Sequence, residues 1–303
     1  MERNQDMTLF GAIEAGGTKF VCAVGSAGRG SLRTATIPTR DPQATFADVA
    51  AFFAEAADLG PLGGIGVGSF GPVRIDPEAS DYGRILRTPK PGWEGFNILE
   101  GIRAFSGVPL ALDTDVNTAA LAELALAGPA VRQLAYVTVG TGIGVGFARA
   151  DGGLTGGFAH PEMGHILVRR HPLHGDFAGN CPFHGDCLEG LAAGPALIRA
   201  WGLTPSHIPE EHPFWETEAD YLAQLCMTLF LTCVPDRIVF GGGVMKQERL
   251  FPMIRARTLE LLAGYLQGAD EAAAMEARIT APLSSEPPGL IGAYQLIERR
   301  LRT

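Results

Sequence analysis

FGAIEAGGTKFVCAVG, residues 10–25, consists of two β-rich apolar runs hinged at Gly16 and Gly17. Strand-forming residues on both sides of a glycine turn predict a hairpin. A second stretch of the same design, AYVTVGTGIGVGFARA at residues 135–150, is hinged at Gly140, Gly142 and Gly144. The two stretches begin about 125 residues apart and each carries Thr in its turn, as a distant internal duplication would. Around them the patterns alternate. Helix periodicity covers 42–59, 116–128, 215–232, 246–266 and 288–301, and strand-like runs cover 63–69, 108–113 and 236–240. Such alternation predicts an α/β architecture.

Composition restricts what this architecture serves. At 303 residues the chain suffices for one large domain or two smaller ones, with 46% apolar and 19% charged residues as in globular proteins. A net charge of −9 offers no basic footprint for nucleic acid or an anionic membrane. No apolar run approaches the roughly 20 residues needed to span a bilayer. MERNQDM is followed by no long apolar stretch, so no secretory signal is expected and the cytoplasm is the expected compartment. The cysteines should then be reduced. Cys22, Cys226 and Cys233 sit in apolar runs and read as small buried hydrophobes.

A turn without side chains lets backbone N–H groups approach an anion, so each glycine hairpin is either a phosphate nest or an ordinary tight turn. No Gly-Lys dipeptide occurs, which excludes a Walker A loop. Gly66, Gly68 and Gly71 make a G-x-G-x-x-G, but Pro72 and the extended VRID follow where dinucleotide binding needs a helix. A third cluster, Gly241, Gly242 and Gly243, follows an apolar strand; it is a nucleotide contact or a plain strand–helix turn.

CPFHGDC, residues 181–187, brings two cysteines and His184 into seven positions. A disulfide, a redox pair and a metal clamp all start from such a stretch. A clamp needs a fourth ligand, for which His160, His165, His171 and His174 compete. Asp115 follows a short strand at its carboxyl end, where open α/β sheets face ligands; it is equally suited to cap the helix that begins there.

EAGGTK (14–19), GTGIGVG (140–146), PEMGH (161–165), CPFHGDCLEG (181–190) and VFGGGV (239–244), in this order, resemble the ROK sugar kinases of the actin-like ATPase superfamily, over residues 10 to about 298. EAGGTKF, GSFGP (68–72), DTDVN (113–117) and HPEMGH (160–165) are most similar to the bacterial fructokinases. The resemblance implies two actin-like ATPase (ribonuclease H-like) α/β domains flanking an active-site cleft. These would be residues 1–115, completed by the C-terminal helix 288–303, and residues 116–287. It implies transfer of the γ-phosphoryl of MgATP to fructose, with another hexose as the alternative acceptor. Asp115 would be the base. Gly71, Thr114, Asp115, Glu162, His165 and Glu189 would bind sugar. Gly16, Gly17, Thr18, Lys19, Gly140, Thr141, Gly142, Gly144, Gly194, Pro195, Gly241, Gly242 and Gly243 would bind nucleotide, Lys19 being otherwise a solvated hairpin charge. His165, selected among the rival histidines by the family motif, would join Cys181, His184 and Cys187 on a structural Zn²⁺.

Two departures stand out against the resemblance: Glu14 replaces the usual Asp near the metal, and Thr114 the usual Asn before the base. Some relatives are sugar-sensing repressors with a winged helix ahead of this body. The thirteen residues before Glu14 are too few for one, and the acidic charge argues the same way. No nucleic-acid or membrane partner is expected, and a homodimer is expected by analogy.

Overall fold

The computed structural model describes residues 8–152, 160–268 and 271–302; the N-terminal stretch read above for a signal lies outside the described residues. In chain order the elements are β1 (Leu9–Ala15), β2 (Lys19–Ser26), β3 (Gly30–Pro38), α1 (Pro42–Glu55), β4 (Leu62–Ser69), α2 (Ile98–Arg103), β5 (Leu110–Thr114) and α3 (Asp115–Leu126). There follow β6 (Gln133–Val139), β7 (Ile143–Arg149), α4 (Leu188–Ala192), α5 (Gly194–Trp201), α6 (Phe214–Thr232), β8 (Arg237–Gly241), α7 (Leu250–Leu262), α8 (Ala272–Arg278), β9 (Ile279–Thr280) and α9 (Pro288–Arg300). The chain divides into two compact units. One runs through Ala125 and takes up His160 and the stretch from Ser284; the other holds Leu126 onward and Pro161–Leu283. The division falls after Ala125, so the helix that Asp115 opens counts with the first unit.

In the first unit the strand order is β3-β2-β1-β4-β5. β1 pairs antiparallel with β2, as the glycine hinge predicts, and parallel with β4, which is parallel to β5. Alternate residues of β1 enter opposite faces. Ile13 and Ala15 join Phe20, Phe46 and Trp93, whereas Phe10 and Ala12 join Leu290, Ala293 and Tyr294 of α9. Ala15 lies opposite Ser69, and Ser69 opposite Thr114. Three parallel strands therefore end level.

The glycines of the discarded dinucleotide pattern serve packing. A Cβ on Gly66 would lie 1.8 Å from the Ala293 carbonyl oxygen, and one on Gly292 only 1.7 Å from that of Thr118. α9 thus lays bare backbone against β4 and α3. After Pro72 the chain forms an isolated bridge, Val73 to Ile85, and no helix, as the sequence predicts.

In the second unit the order is β7-β6-β8-β9. An antiparallel pair followed by two parallel ones repeats the pattern of β2-β1-β4-β5, which is the topology a duplication leaves. Along α6, Phe214, Leu222, Leu225 and Leu229 are buried with Val137, Val145 and Phe240 of the sheet. Two helices are shorter than their periodicity suggested. The pattern over 42–59 ends as α-helix at Glu55 and tightens into a 3₁₀ turn, Ala56–Leu59. The pattern over 246–266 is helical only from Leu250 to Leu262. Pro252 has no N–H and is tolerated only in a first turn, which places the start of α7. Among the described residues no helix is long and apolar enough to cross a membrane.

Gly292→Ala should lower stability by about 1–3 kcal/mol, the usual range for overpacking. Gly107→Ala, with no atom within 4 Å of its new Cβ, should be near neutral. Urea denaturation of the two variants checks this; equal midpoints would remove the α9–α3 contact from the account.

Candidate functional site

The level strand ends of the first unit gather the predicted residues of that half. β1 leads into the Gly16–Lys19 turn, where the Gly16 N–H donates to the Lys19 carbonyl at 2.9 Å and the Thr39 hydroxyl donates to the Gly16 carbonyl at 2.8 Å. Gly17 and Thr18 form its tip. Beyond β4 the Phe70 N–H donates to the Ala15 carbonyl at 2.7 Å, which holds Gly71 beside the hairpin. Beyond β5 comes Asp115.

The cap of α3 is not Asp115. The Asn117 N–H donates to Thr114 Oγ1 at 3.0 Å, the three-residue reach of an N-cap. Thr114 is buried and Asp115 half-buried at the first helical position, where Asp115 Oδ1 accepts the neighbouring Val116 N–H at 2.9 Å; the three-residue N-cap bond belongs to Thr114. Two neighbours went unremarked in the sequence. Asp113 accepts from Asn117 Nδ2 and from the Thr114 N–H, both at 2.7 Å, and burial pushes its carboxyl up to about 6. The Tyr82 hydroxyl donates to the Leu112 carbonyl at 2.8 Å and accepts the Leu112 N–H at 2.6 Å, holding the edge strand β5. Asp113, inside DTDVN two residues before Asp115, was the more legible of the pair.

Burial raises the Glu14 carboxyl and the Lys19 ammonium opposes it. Glu14 Oε2 is buried with no hydrogen-bond partner among the described residues. A hard divalent cation suits such an orphaned carboxylate oxygen, so this residue fits Mg²⁺ despite its extra methylene.

In the second unit Cys181, Cys187, His165 and His184 converge, their ligand atoms all within 4.8 Å of one another. His165 Nδ1 lies 3.7 Å from Cys181 Sγ and 3.6 Å from Cys187 Sγ, and His184 Nδ1 lies 3.7 Å from Cys181 Sγ. A tetrahedral site with Zn–S of about 2.3 Å and Zn–N of about 2.0–2.1 Å has S-to-N edges of about 3.6 Å. The donors fit zinc in kind and in spacing. The other histidines are engaged elsewhere. His160 accepts the Val73 N–H at 3.1 Å, His171 Nδ1 accepts the Leu173 N–H at 3.3 Å, and His174 bonds Tyr221 at 2.8 Å while stacking on Trp201.

Glu189, two residues past Cys187, accepts the Ile143 N–H at 3.0 Å through Oε2. A Cβ on Gly142 would meet that oxygen at 2.6 Å, so the glycine turn admits the carboxylate. Partial desolvation, and after it the Glu189 charge, push Glu162 up to about 7, although its side chain still meets solvent. The same turn receives α5, whose Gly194 N–H donates to the Gly140 carbonyl at 2.8 Å with Pro195 next in line. Thr141 is exposed at the tip. Gly144 lies outside the turn, within β7 opposite Thr138, because the strand resumes at Ile143.

Thr138 is also level with Gly241, so the Gly140–Gly142 turn and the third glycine cluster leave the same end of the sheet. Gly241 is the last residue of β8 and is buried, whereas Gly242 and Gly243 are exposed. Gly242 has a left-handed φ of 93°, and a Cβ on it would lie 2.4 Å from the Val139 carbonyl oxygen. The turn alone therefore requires glycine at position 242, whether or not a ligand contacts it. A ligand could meet only the exposed backbone of Gly242 and Gly243. The helix expected directly after the cluster is also delayed, since a 3₁₀ turn, Val244–Lys246, intervenes before α7.

The model of the ROK family matches residues 10–300. The fructokinase of Pediococcus pentosaceus is 40% identical, over 97% of this chain and 99% of the relative. That of Streptococcus mutans is 42% identical, over 85% and 87%. Among solved structures, the ROK hexokinase of Thermus thermophilus superposes with a TM-score of 0.76 at 24% identity, over 97% of this chain and 99% of the other. The fold is the actin-like ATPase fold that the motifs implied.

Thr114→Ala should cost about 1 kcal/mol of stability through the lost cap. Asp115→Ala, which would abolish any cap made by this side chain, should cost less, about 0.5 kcal/mol for the loss of one charge from a first helical turn. Thermal and urea unfolding of both variants read this directly, and the reverse ranking would return the cap to Asp115.

Proposed function

This chain belongs to the ROK family, and on that premise we propose that it is an ATP-dependent fructokinase, moving the γ-phosphoryl of MgATP to the 6-hydroxyl of D-fructose. The observation that carries the reading is near-full-length identity of 40% to a fructokinase, with the motif residues assembled at the strand ends. In the reaction the sugar oxygen forms the new P–O bond. The bond from the γ-phosphorus to the bridging oxygen breaks, and its electron pair leaves on ADP. Asp115 takes the hydroxyl proton, and Thr114 fixes the helix start that aims it. Little covalent work remains for the protein in such a transfer beyond positioning and charge neutralisation.

Backbone of Gly16, Gly17 and Thr18, with Lys19, would cradle phosphates. Gly140, Thr141, Gly142, Gly194 and Pro195 would hold the rest of the nucleotide, with the exposed backbone of Gly242 and Gly243, while the buried Gly241 would only set the turn behind them. Glu14 would hold a Mg²⁺ arriving with ATP, and that ion would supply neutralisation of phosphate charge. Gly71, Glu162, His165 and Glu189 would hold the sugar, the two carboxylates accepting bonds from its hydroxyls. A Zn²⁺ on His165, Cys181, His184 and Cys187 would be structural, since four protein ligands close its coordination. The compartment on this reading is the cytoplasm, and the assembly, by analogy, a homodimer.

A coupled ADP-release assay with fructose, mannose, glucose and N-acetylated hexosamines should rank fructose first; a clear preference for glucose would overturn the substrate. In the same assay Asp115→Asn should lower kcat about 10²–10⁴-fold, the usual loss of a general base. Near-normal turnover in that variant would end its catalytic assignment.

Purified protein should carry about one zinc per chain. Cys181→Ser and Cys187→Ser should each lose it together with stability, because structural zinc contributes folding free energy on the order of 10 kcal/mol in small model sites. Metal analysis of both variants is the check, and stoichiometric zinc in either one would remove that cysteine from the site.

A further inference from the structure

Of the 24 basic residues in this chain only Lys19, Lys90 and Lys246 are lysines. Lys19 closes the first glycine turn and Lys246 follows the third glycine cluster, but Lys90, in RTPKPGW (87–93), belongs to no motif considered so far. The fold carries it to the first turn. Trp93 is almost fully buried, donates its indole N–H to the Arg40 carbonyl at 2.8 Å and packs against Phe20 and Phe70. This anchor sets the loop beside the β1–β2 hairpin. From there Lys90 Nζ donates to the Gly17 carbonyl, with its charge 5.6 Å from the centre of the Phe70 ring. Its aliphatic stem crosses the face of the turn, where a Cβ on Gly17 would meet Cε at 2.8 Å.

The charges of the two lysines at this turn are answered differently. Lys19 acts on the carboxylate of Glu14. Lys90 has only a neutral carbonyl and an aromatic face; among the described residues no carboxylate pairs with it. Burial alone holds its ammonium below the ordinary lysine value. A partly desolvated cation without a counter-charge is costly to the protein that keeps it, unless an anion is bound there. The anion that a glycine turn of exposed backbone accepts is a phosphate.

We propose that Lys90 is a catalytic residue that contacts the γ-phosphoryl group during its transfer. The inference rests on the kinase reading above. While the sugar oxygen bonds to phosphorus and the β,γ-bridging bond breaks toward ADP, negative charge spreads over the transferring oxygens, and the Lys90 ammonium neutralises it without itself losing a proton. Gly17 serves as its resting acceptor, so the cation is already placed when the nucleotide arrives. Such preorganisation is the larger part of electrostatic catalysis. It also makes Lys90 sensitive to the terminal phosphate in particular, a property that a residue merely bracing the turn would lack.

The full chain is titrated with MgADP and with Mg·AMPPNP, before and after Lys90→Gln. The variant should bind AMPPNP about tenfold more weakly and ADP within about twofold of the parent. Its kcat should fall about 10²–10³-fold, the usual loss of one preorganised donor. Lys90→Arg, which keeps the charge in a different shape, should recover part of the AMPPNP preference. Equal weakening of both nucleotides, or an unchanged kcat, would reduce Lys90 to a brace of the turn. A second measurement needs no variant. With so few lysines, acetylation read by peptide mass spectrometry should show Lys90 protected by Mg·AMPPNP and not by MgADP, and equal labelling would overturn the proposal. Both binding arms are independent of sugar turnover, so a wild-type protein that phosphorylates no hexose would defeat the kinase reading while leaving Lys90 to be decided by the titration.

Discussion

The contact on which the first unit depends is backbone against backbone, where α9 meets β4 and α3. Carbonyl oxygens of Ala293 and Thr118 occupy the space that side chains on Gly66 and Gly292 would need. No larger residue permits that approach, and with it Leu290, Ala293, Tyr294 and Ile297 are almost fully buried. Thr118 lies one helical turn past Asp115, and its hydroxyl donates to the Asp115 carbonyl at 2.8 Å. Packing of the last helix is thereby transmitted to the start of α3, and the carboxylate that the mechanism needs is set by a contact made with residues near the other end of the chain.

Around that scaffold the strand register does the remaining positioning. Ala15, Ser69 and Thr114 end level in three parallel strands, so that whatever follows each strand shares one edge of the sheet. The hairpin turn, the Phe70–Gly71 loop and Asp115 are those continuations. The second unit repeats the device with Thr138 and Gly241, and there Gly242 lets the chain turn closely past the end of β6. A sheet ending this way concentrates turns at one edge, and turns are where backbone N–H groups remain for a ligand.

Several polar groups at these edges are set in conditions that folding alone does not reward. Burial raises the carboxyls of Glu14 and Asp113, and Lys90 keeps its charge beside a neutral carbonyl. Ionised carboxylates held against desolvation lower stability as pH rises, which for Asp113 happens over the window from the ordinary aspartate value up to about 6. Such residues persist at sites where a cation or a phosphate completes them.

The amino-acid sequence by itself determined the two hairpins, the alternation of strands and helices, the rejection of dinucleotide and Walker A chemistry, and the short-range part of the metal clamp. These depend on neighbours a few residues apart, where turn chemistry, periodicity and ligand spacing act without the rest of the chain. It did not disclose β3, whose exposed alternating edge carries no strong apolar signal, nor that Thr114 and not Asp115 caps α3, since both residues cap well and only backbone geometry selects. Fixing which histidine completes the clamp needed the family motif, and the tertiary structure then showed His160, His171 and His174 bonded elsewhere. Only tertiary structure could bring Lys90 to Gly17, 73 residues away in the chain, because that meeting is decided by where Trp93 is buried. Local patterns record what the backbone must do; which distant side chains meet is decided by how the core closes.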